Sequence, residues 1–285
     1  MPAKEKILAK KKEKWEKVTN NEKVRQIKQQ EDKNVHLYFT LRTAEEGLAL
    51  PIHYNHLLQG AIYGILPPEL ASFFHEQGFE TGGRRFKLFT FSRLMGERKI
   101  DQENKKITFR GEVRLVVASP LEKFCTALAW GFLNRGFLRL GDAEVEVVKM
   151  AVQHYRVTGE EITVRTLSPV VAYSTFYRPD GRKYTCYFQP AEPEFDSLIT
   201  ANLRKKYQAL YGCEPPPGEV MVKKVGKGNW HVLNYKGTIV KGYSGPLRLA
   251  GPPELLQIAI DAGLGSKNAQ GFGCLEIRGG GRSGR

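Results

Sequence analysis

The patterned part of this chain opens with VHLYFTL, residues 35–41, whose β-branched and aromatic content predicts a strand. Over residues 56–66 the apolar positions Leu57, Leu58, Ala61, Ile62, Ile65 and Leu66 recur at i, i+3, i+4 spacing, which predicts a helix with one apolar face. Pro67 and Pro68 end it. Pro68 can open a second short helix that runs through His75 and stops near Gly78. Residues 84–95 (RRFKLFTFSRLM) read as a strand, GERKIDQENKK as a polar turn, and ITFRGEVRLVVAS (107–119) as the returning strand. Pro120 leads into the helix LEKFCTALAWGFLNRG, with Gly136 as its stop, and strands follow at FLRLG and AEVEVVKMAVQHY. The order is β-α-β-β-α-β, the ferredoxin-like arrangement.

A similar order returns in the second half. ITVRTLSPVVAYS (162–174) reads as a strand interrupted at Pro169, and residues 192–211 as a helix ending at Gly212. Pro215, Pro216 and Pro217 mark a loop. EVMVKKV and NWHVLNYKGTIVKGYSGPLRLA supply two or three strands, PPELLQIAIDAGLG a helix with proline at its start, and CLEI (274–277) a final strand. No clean sequence repeat underlies this, so the duplication rests on the order of elements. The expected fold is α+β, two tandem ferredoxin-like (RRM-like) domains over residues 35–157 and 158–277, closed by a glycine-rich loop. Residues 1–34 lack glycine and carry too few apolar positions for a core-facing stripe, so they read as a basic, flexible extension. Residues 278–285 form a Gly/Arg tail.

Composition sharpens this. The chain has 285 residues, 44 Lys plus Arg against 30 Asp plus Glu, and a net charge of +14. The excess is patterned: residues 1–34, 84–114 and 201–248 carry net charges of +5, +6 and +7, so the remainder is net −4. Lysine added for solubility accounts for the same total, but clustering beside aromatics favours a nucleic acid. No apolar run approaches the roughly 18–20 residues that span a bilayer, so no membrane is expected. The lysine-rich opening residues lack the apolar region of a secretory signal. Cys125, Cys186, Cys213 and Cys274 are far apart with no CxxC, which argues against a zinc ribbon or disulfide scaffold and for a reducing cytoplasm.

The sharpest motif is GLGSKNAQGFGCLEI. Gly263, Gly265, Gly271 and Gly273 form two GxG pairs around a polar loop that holds Lys267, between a helix and a strand. Glycine lets backbone amides approach phosphates closely. The spacing fits neither a Walker A loop nor a dinucleotide-binding fingerprint, and a helix-to-strand connection that needs glycine for geometry explains the residues equally well.

With two β-α-β-β-α-β units before it, this G-L-G-x(5)-G-F-G resembles the CRISPR-associated repeat-processing endoribonucleases, the sixth Cas protein family. LPIHYNHLLQGAIYGIL, LASFFHEQGF and RRFKLFTFSRL resemble that family's opening segments in order and spacing; TLSPV (166–170) and FDSLITANLRKKYQALYG also fit. The resemblance covers about residues 35–277, and the extension 1–34 departs from it. It implies a catalytic group of Tyr63, His75 and Lys87 that cuts precursor CRISPR RNA within repeats without metal or cofactor, leaving a 2′,3′-cyclic phosphate and a 5′-hydroxyl.

The chemistry suits those residue types. Attack of a ribose 2′-OH on its own phosphate needs a base, an acid for the 5′-oxygen and positive charge on the phosphorane. Histidine transfers protons near neutral pH, lysine meets developing charge, and a phenol donates a hydrogen bond. From the residues alone, His75 is also a histidine stabilised near a helix C-terminus, Tyr63 a half-buried aromatic and Lys87 one cation in a charged run. His53 and His56 have HxxH spacing without a third ligand, so a capping or surface role is expected. Cys125 reads as core. Arg84, Arg85 and Arg93, joined by Arg98 and Lys99, are candidates for tracking phosphates on one side. Lys223, Lys224 and Lys227, with Trp230 and His231, make a basic-aromatic hairpin that could grip RNA. The implied partner is CRISPR repeat RNA, with a multi-subunit effector complex and a second copy of the chain left open. A noncatalytic RNA scaffold on the same fold is the alternative, and His75 discriminates the two.

Overall fold

β1 (Val35–Arg42) forms the middle of the first sheet because both its faces are covered: Leu37, Phe39 and Leu41 are buried on one side and His36 on the other. The structure is a computed structural model that describes residues 35–278. The expected extension 1–34, and all of the Gly/Arg tail but Arg278, lie outside the described residues. β2 (Leu48–Pro51) leads to α1 (Asn55–Ile65), whose apolar stripe buries Leu58, Ile62 and Ile65. α2 (Pro68–Ser72) starts on proline and widens into a π turn at Phe73–Gln77. β3 (Phe79–Thr81) and β4 (Arg84–Phe86) form a short hairpin. β5 (Thr90–Phe91), β6 (Met95–Asp101), β7 (Lys106–Ser119), α3 (Glu122–Arg135), β8 (Phe137–Leu140) and β9 (Ala143–Gln153) complete the first half.

β7 organises this sheet. It pairs with β2 and then β1 along one edge, and with β6 and β5 along the other, all antiparallel. The main path is β2-β7-β1-β9-β8. Two expectations are corrected here. The single strand expected over 84–95 is broken into β4, β5 and the start of β6. Leu88 adopts a left-handed backbone, φ 49°, and buries its side chain in the core of the second half. GERKID is strand as well: an exposed edge can carry Glu97, Arg98 and Lys99, because pairing to β7 uses backbone groups.

The second half runs β10 (Glu161–Thr166), β11 (Ala172–Tyr177), β12 (Lys183–Phe188), α4 (Pro193–Tyr211), β13 (Met221–Lys224), β14 (Asn229–Tyr235), β15 (Thr238–Ser244), β16 (Pro246–Ala250), α5 (Pro253–Ala262) and β17 (Leu275–Ile277). Its sheet has the order β13-β16-β10-β17, the same relative order as β6-β7-β1-β9. The hairpins β11–β12 and β14–β15 are separate two-stranded sheets. Four strands therefore stand where two or three were expected after residue 218. β12 was not expected at all, because its run KYTCYF follows a charged turn and faces solvent at its start.

Each half has its own main core. One gathers Phe39, Ile62, Phe74, Phe89, Phe91 and Phe124, the other Val164, Phe195, Leu203, Leu249 and Leu256. Polar contacts bind the halves to each other. His36 of β1 meets Asp261 of α5 at 3.3 Å, both buried. Ser168 Oγ donates to the Phe91 carbonyl at 3.0 Å, and Thr90 Oγ1 to the Phe272 carbonyl at 3.0 Å. Cys125 is core, its thiol 3.4 Å from the Val35 carbonyl.

Candidate active site

The π turn Phe73–Gln77 exists because its first two residues are anchored inward. Phe74 is buried edge-on against the stacked rings of Phe124 and Phe89, at centroid distances of 5.0 and 6.1 Å, and Phe73 packs on Phe79. Gly78, at φ 64°, closes the turn with its amide on the Phe73 carbonyl, 2.8 Å away. A Cβ there would lie 2.5 Å from the Phe86 carbonyl oxygen, so only glycine fits. With Phe73 and Phe74 held inside, His75 is turned out to solvent.

Two side chains converge on this turn from different elements. Tyr63, near the end of α1, sets its ring edge-on to His75 at 5.6 Å and its hydroxyl 3.4 Å from the Phe74 carbonyl. Lys87, just past β4, donates from Nζ to the His75 carbonyl at 2.8 Å. Arg85 donates to the adjacent Glu76 carbonyl at 3.1 Å. The structure thus brings Tyr63, His75, Lys87 and Arg85 together. Burial, then the neighbouring Tyr235, pushes the Tyr63 phenol well above its ordinary pKa, so it remains a neutral donor. Burial and then the Arg85 charge lower the Lys87 pKa, against an opposing pull from Glu76.

A polar ladder on α1 connects this group to the glycine-rich loop. Asn55, Gln59 and Tyr63 recur every four residues and so share one face. Asn55 Nδ2 donates to the carbonyls of Gln270 and Gly271, at 2.9 and 3.1 Å. Gln59 Nε2 donates to the Ala269 carbonyl at 2.6 Å, and its Oε1 accepts from the Tyr235 hydroxyl on β14. Sequence reasoning missed Asn55, Gln59 and Tyr235. The four-residue spacing on an otherwise apolar helix was the available signal for the first two; nothing local marks Tyr235.

The loop itself packs inward. Gly263, Gly265, Gly271 and Gly273 are all buried with positive φ, and the amides of Gly271 and Gly273 are bound to the carbonyls of Asn268 and Pro169. A Cβ on Gly273 would lie 2.0 Å from the Leu264 carbonyl oxygen. Of the two roles open to these glycines, the structural one accounts for their geometry: the loop packs closely against TLSPV and α1. Lys206 of α4, another residue not anticipated, lies wholly buried beneath the loop. Its Nζ donates to the Gly263 and Gly265 carbonyls at 2.6 and 2.9 Å, and burial lowers its pKa to about 7. Lys267 is half-buried, 5.4 Å over the Tyr173 ring.

The other basic candidates are dispersed. Arg84 lines a cavity beside β11. Arg93 is half-buried, and its charge lowers the pKa of both His53 and His231, in each case after burial. Lys223 and Lys224 are exposed on β13 and Lys227 on the turn after it; Lys224 sits 5.3 Å over the Tyr243 ring. Among the described residues no hydrogen bond or ring contact ties these three to the π turn. His56 Nδ1 lies 3.1 Å from the His53 carbonyl, a local contact within the turn before α1.

Two family models match the chain: CRISPR-associated protein Cas6, N-terminal, over residues 49–151, and CRISPR associated protein Cas6, C-terminal, over residues 150–277. The CRISPR-associated endoribonuclease Cas6 of Pyrococcus furiosus is 27% identical over 252 residues, 82% of this chain and 86% of the relative. The CRISPR-associated endoribonuclease Cas6 1 of Methanocaldococcus jannaschii is 26% identical over 230 residues, 79% of this chain and 86% of the relative. Among solved structures, a Cas6-related protein from Pyrococcus furiosus superposes with a TM-score of 0.75 at 18% identity, covering 86% of this chain and 99% of the other. A CRISPR associated protein Cas6 superposes at 0.70 with 23% identity and the same coverage. At these identities the structural likeness is one of fold.

Proposed function

This chain belongs to the Cas6 family of CRISPR-associated proteins, and we propose that its Tyr63–His75–Lys87 group cleaves precursor CRISPR RNA within repeats, without a metal ion. The observation that carries the reading is the convergence of an imidazole, a phenol and an ammonium on one exposed turn. In the proposed step the 2′-oxygen attacks its own 3′-phosphorus and loses its proton while the P–O5′ bond breaks and O5′ gains one. The products are a 2′,3′-cyclic phosphate and a 5′-hydroxyl. His75 handles the protons by general acid–base catalysis. Lys87 uses one N–H on the His75 carbonyl and has further donors for the phosphorane oxygens. Tyr63, a neutral phenol, donates a hydrogen bond.

The two units, over 35–157 and 158–277, read as tandem ferredoxin-like domains, supported by the matching strand orders. Arg84, Arg85, Arg93, Lys223, Lys224, Lys227 and Lys267 contact RNA phosphates, while the four loop glycines shape the surface that carries Lys267. The protein works in the cytoplasm on repeat RNA. The test is cleavage of a labelled repeat RNA in EDTA. The wild type cuts, His75→Ala cuts about 10²–10⁴-fold more slowly, and a 2′-deoxy substitution at the scissile nucleotide blocks cutting but not binding. Binding without cutting by the wild type overturns the enzymatic reading, and loss of cutting in EDTA overturns metal independence.

A further inference from the structure

The hairpin β11–β12 pairs with no other strand among the described residues, yet it carries Tyr173, Phe176, Tyr177, Tyr184 and Tyr187. Tyr177 is 67% exposed, Phe176 42% and Tyr184 40%. Large rings are seldom left in water singly in such density without a partner to cover them. Strand alternation puts Tyr173, Tyr177 and Tyr187 on one face; at its foot Tyr173 and Tyr187 pack against Leu233, Val240 and Phe272, and the Tyr187 hydroxyl donates to the Ile239 carbonyl at 2.7 Å, so the free rings are those at the tip. Each end of that face is capped by a cation: Lys267 lies 5.4 Å over Tyr173 at the foot, and Lys183 lies 5.5 Å over Tyr177 at the tip. On the other face Phe176 stacks on Tyr184 at 5.6 Å, under Arg178. Asp180, the lone acidic residue of the hairpin, is ion-paired with Arg182 at 2.7 Å.

We infer that this hairpin is a stacking track for single-stranded RNA next to the cleavage site. The inference rests on the function proposed above and specifies where that RNA runs. Rings flanked by cations suit nucleobases joined by phosphates, whereas a protein partner of apolar surface would leave Lys183, Arg178 and Lys267 without counter-charge. The stacking rings are Phe176, Tyr177 and Tyr184 at the tip, and from Tyr177 back to Tyr173 the strand advances about 14 Å, the reach of two or three nucleotides. At the foot is a cavity of about 240 Å³ lined by Arg84, Tyr173, Thr175, Asn202, Lys205 and Ser266. Its two cations, hydroxyls and amide match a nucleotide. Arg84, which lines the cavity, lies three residues before Lys87, about 10 Å of extended backbone from the candidate catalytic group.

The test measures affinity of the full chain for a fluorescein-labelled oligouridylate in a His75→Ala background, which keeps the RNA intact. Tyr177→Ala weakens binding roughly five- to a hundredfold. Tyr177→Phe binds as the parent does, and Tyr177→Leu resembles the alanine variant, because stacking needs a ring and apolarity alone does not suffice. Lys205→Ala lowers the salt dependence by about one phosphate. Trp130→Ala, which removes a 61% exposed ring on α3, leaves affinity unchanged. Affinity in Tyr177→Ala equal to the parent overturns the track, whether or not the wild type cuts. A wild type that binds without cutting, with Tyr177→Ala impaired, overturns only the cleavage reading. No RNA binding by any form overturns both.

Discussion

Lys87 donates a hydrogen bond from Nζ to the main-chain carbonyl of His75 at 2.8 Å. A side chain from the strand region is thereby tied to the backbone of the residue proposed to move protons. The bond fixes one N–H and aims the ammonium along the exposed side of the π turn, where Arg85 adds a second cation.

That pairing makes the alkaline side of the pH profile informative. Burial first and Arg85 second lower the Lys87 pKa, so its charge is present at low pH and lost earlier than an ordinary lysine's as pH rises. Arg85→Ala removes a lowering influence, and the alkaline fall of single-turnover rate moves to higher pH. Lys87→Arg does not titrate and flattens that fall. A limb that stays in place in Arg85→Ala refutes the coupling.

His75 is exposed and its neighbours supply the packing, so His75→Ala keeps the wild-type melting temperature. Its cleavage rate drops about 10²–10⁴-fold while RNA affinity stays near wild type. Tyr63→Phe keeps the contacts with His75 and Phe89 and loses only the hydroxyl. The rate falls, and the pH profile keeps its shape because the Tyr63 phenol stays neutral throughout. A changed profile in that variant argues against the assignment.

Asn55 ties α1 to the loop through two bonds. Asn55→Ala leaves two carbonyls less satisfied, the buried one of Gly271 and the part-buried one of Gln270, and destabilises the fold by about 1–3 kcal/mol, measured by denaturant titration. Gly271→Ala costs more. Its φ of 83° is strained for alanine, and the new Cβ would lie 2.5 Å from the Phe91 ring. A neutral result at both positions would show that the loop is not a joint.

Lys206 predicts a pH dependence of stability. Burial lowers its pKa from 10.5 to about 7. Between these values the unfolded chain holds a proton that the folded chain has released, so this residue makes stability rise with pH across that window. Lys206→Met removes the titration. The gain in denaturant midpoint from about pH 7 to about pH 9 is therefore larger in the wild type than in the variant. Equal gains would contradict the buried placement.

Phe74 tests the anchoring of the turn. Phe74→Ala empties a site against the stacked Phe89 and Phe124 rings and costs about 3–5 kcal/mol. Its cleavage loss exceeds what lower stability explains, because His75 is no longer held outward. Cleavage at the wild-type rate under conditions where the variant stays folded would contradict that anchoring.

The features legible in the chain are local. Apolar spacing located α1, and helix stops at Gly136 and Gly212 located α3 and α4, to within a residue or two; Gly78 marked the end of the π turn, while α5 ends at Ala262, three residues short of the expected run. The family pattern singled out Tyr63, His75 and Lys87, which lie within 25 positions of one another. The rest follows from how distant segments pack. The break at Leu88 exists because its side chain belongs to the core of the other half. The strand at Glu97–Lys99 exists because β7 lies beside it, and the glycines of the C-terminal loop face inward because α1 and TLSPV press against them. Asn55 reaches a loop 215 positions away, and His36 meets Asp261 across 225. Backbone propensity acts over a few residues and leaves a pattern in the chain. Such distant pairings are set by how two packed halves dock, and no short window of sequence records that.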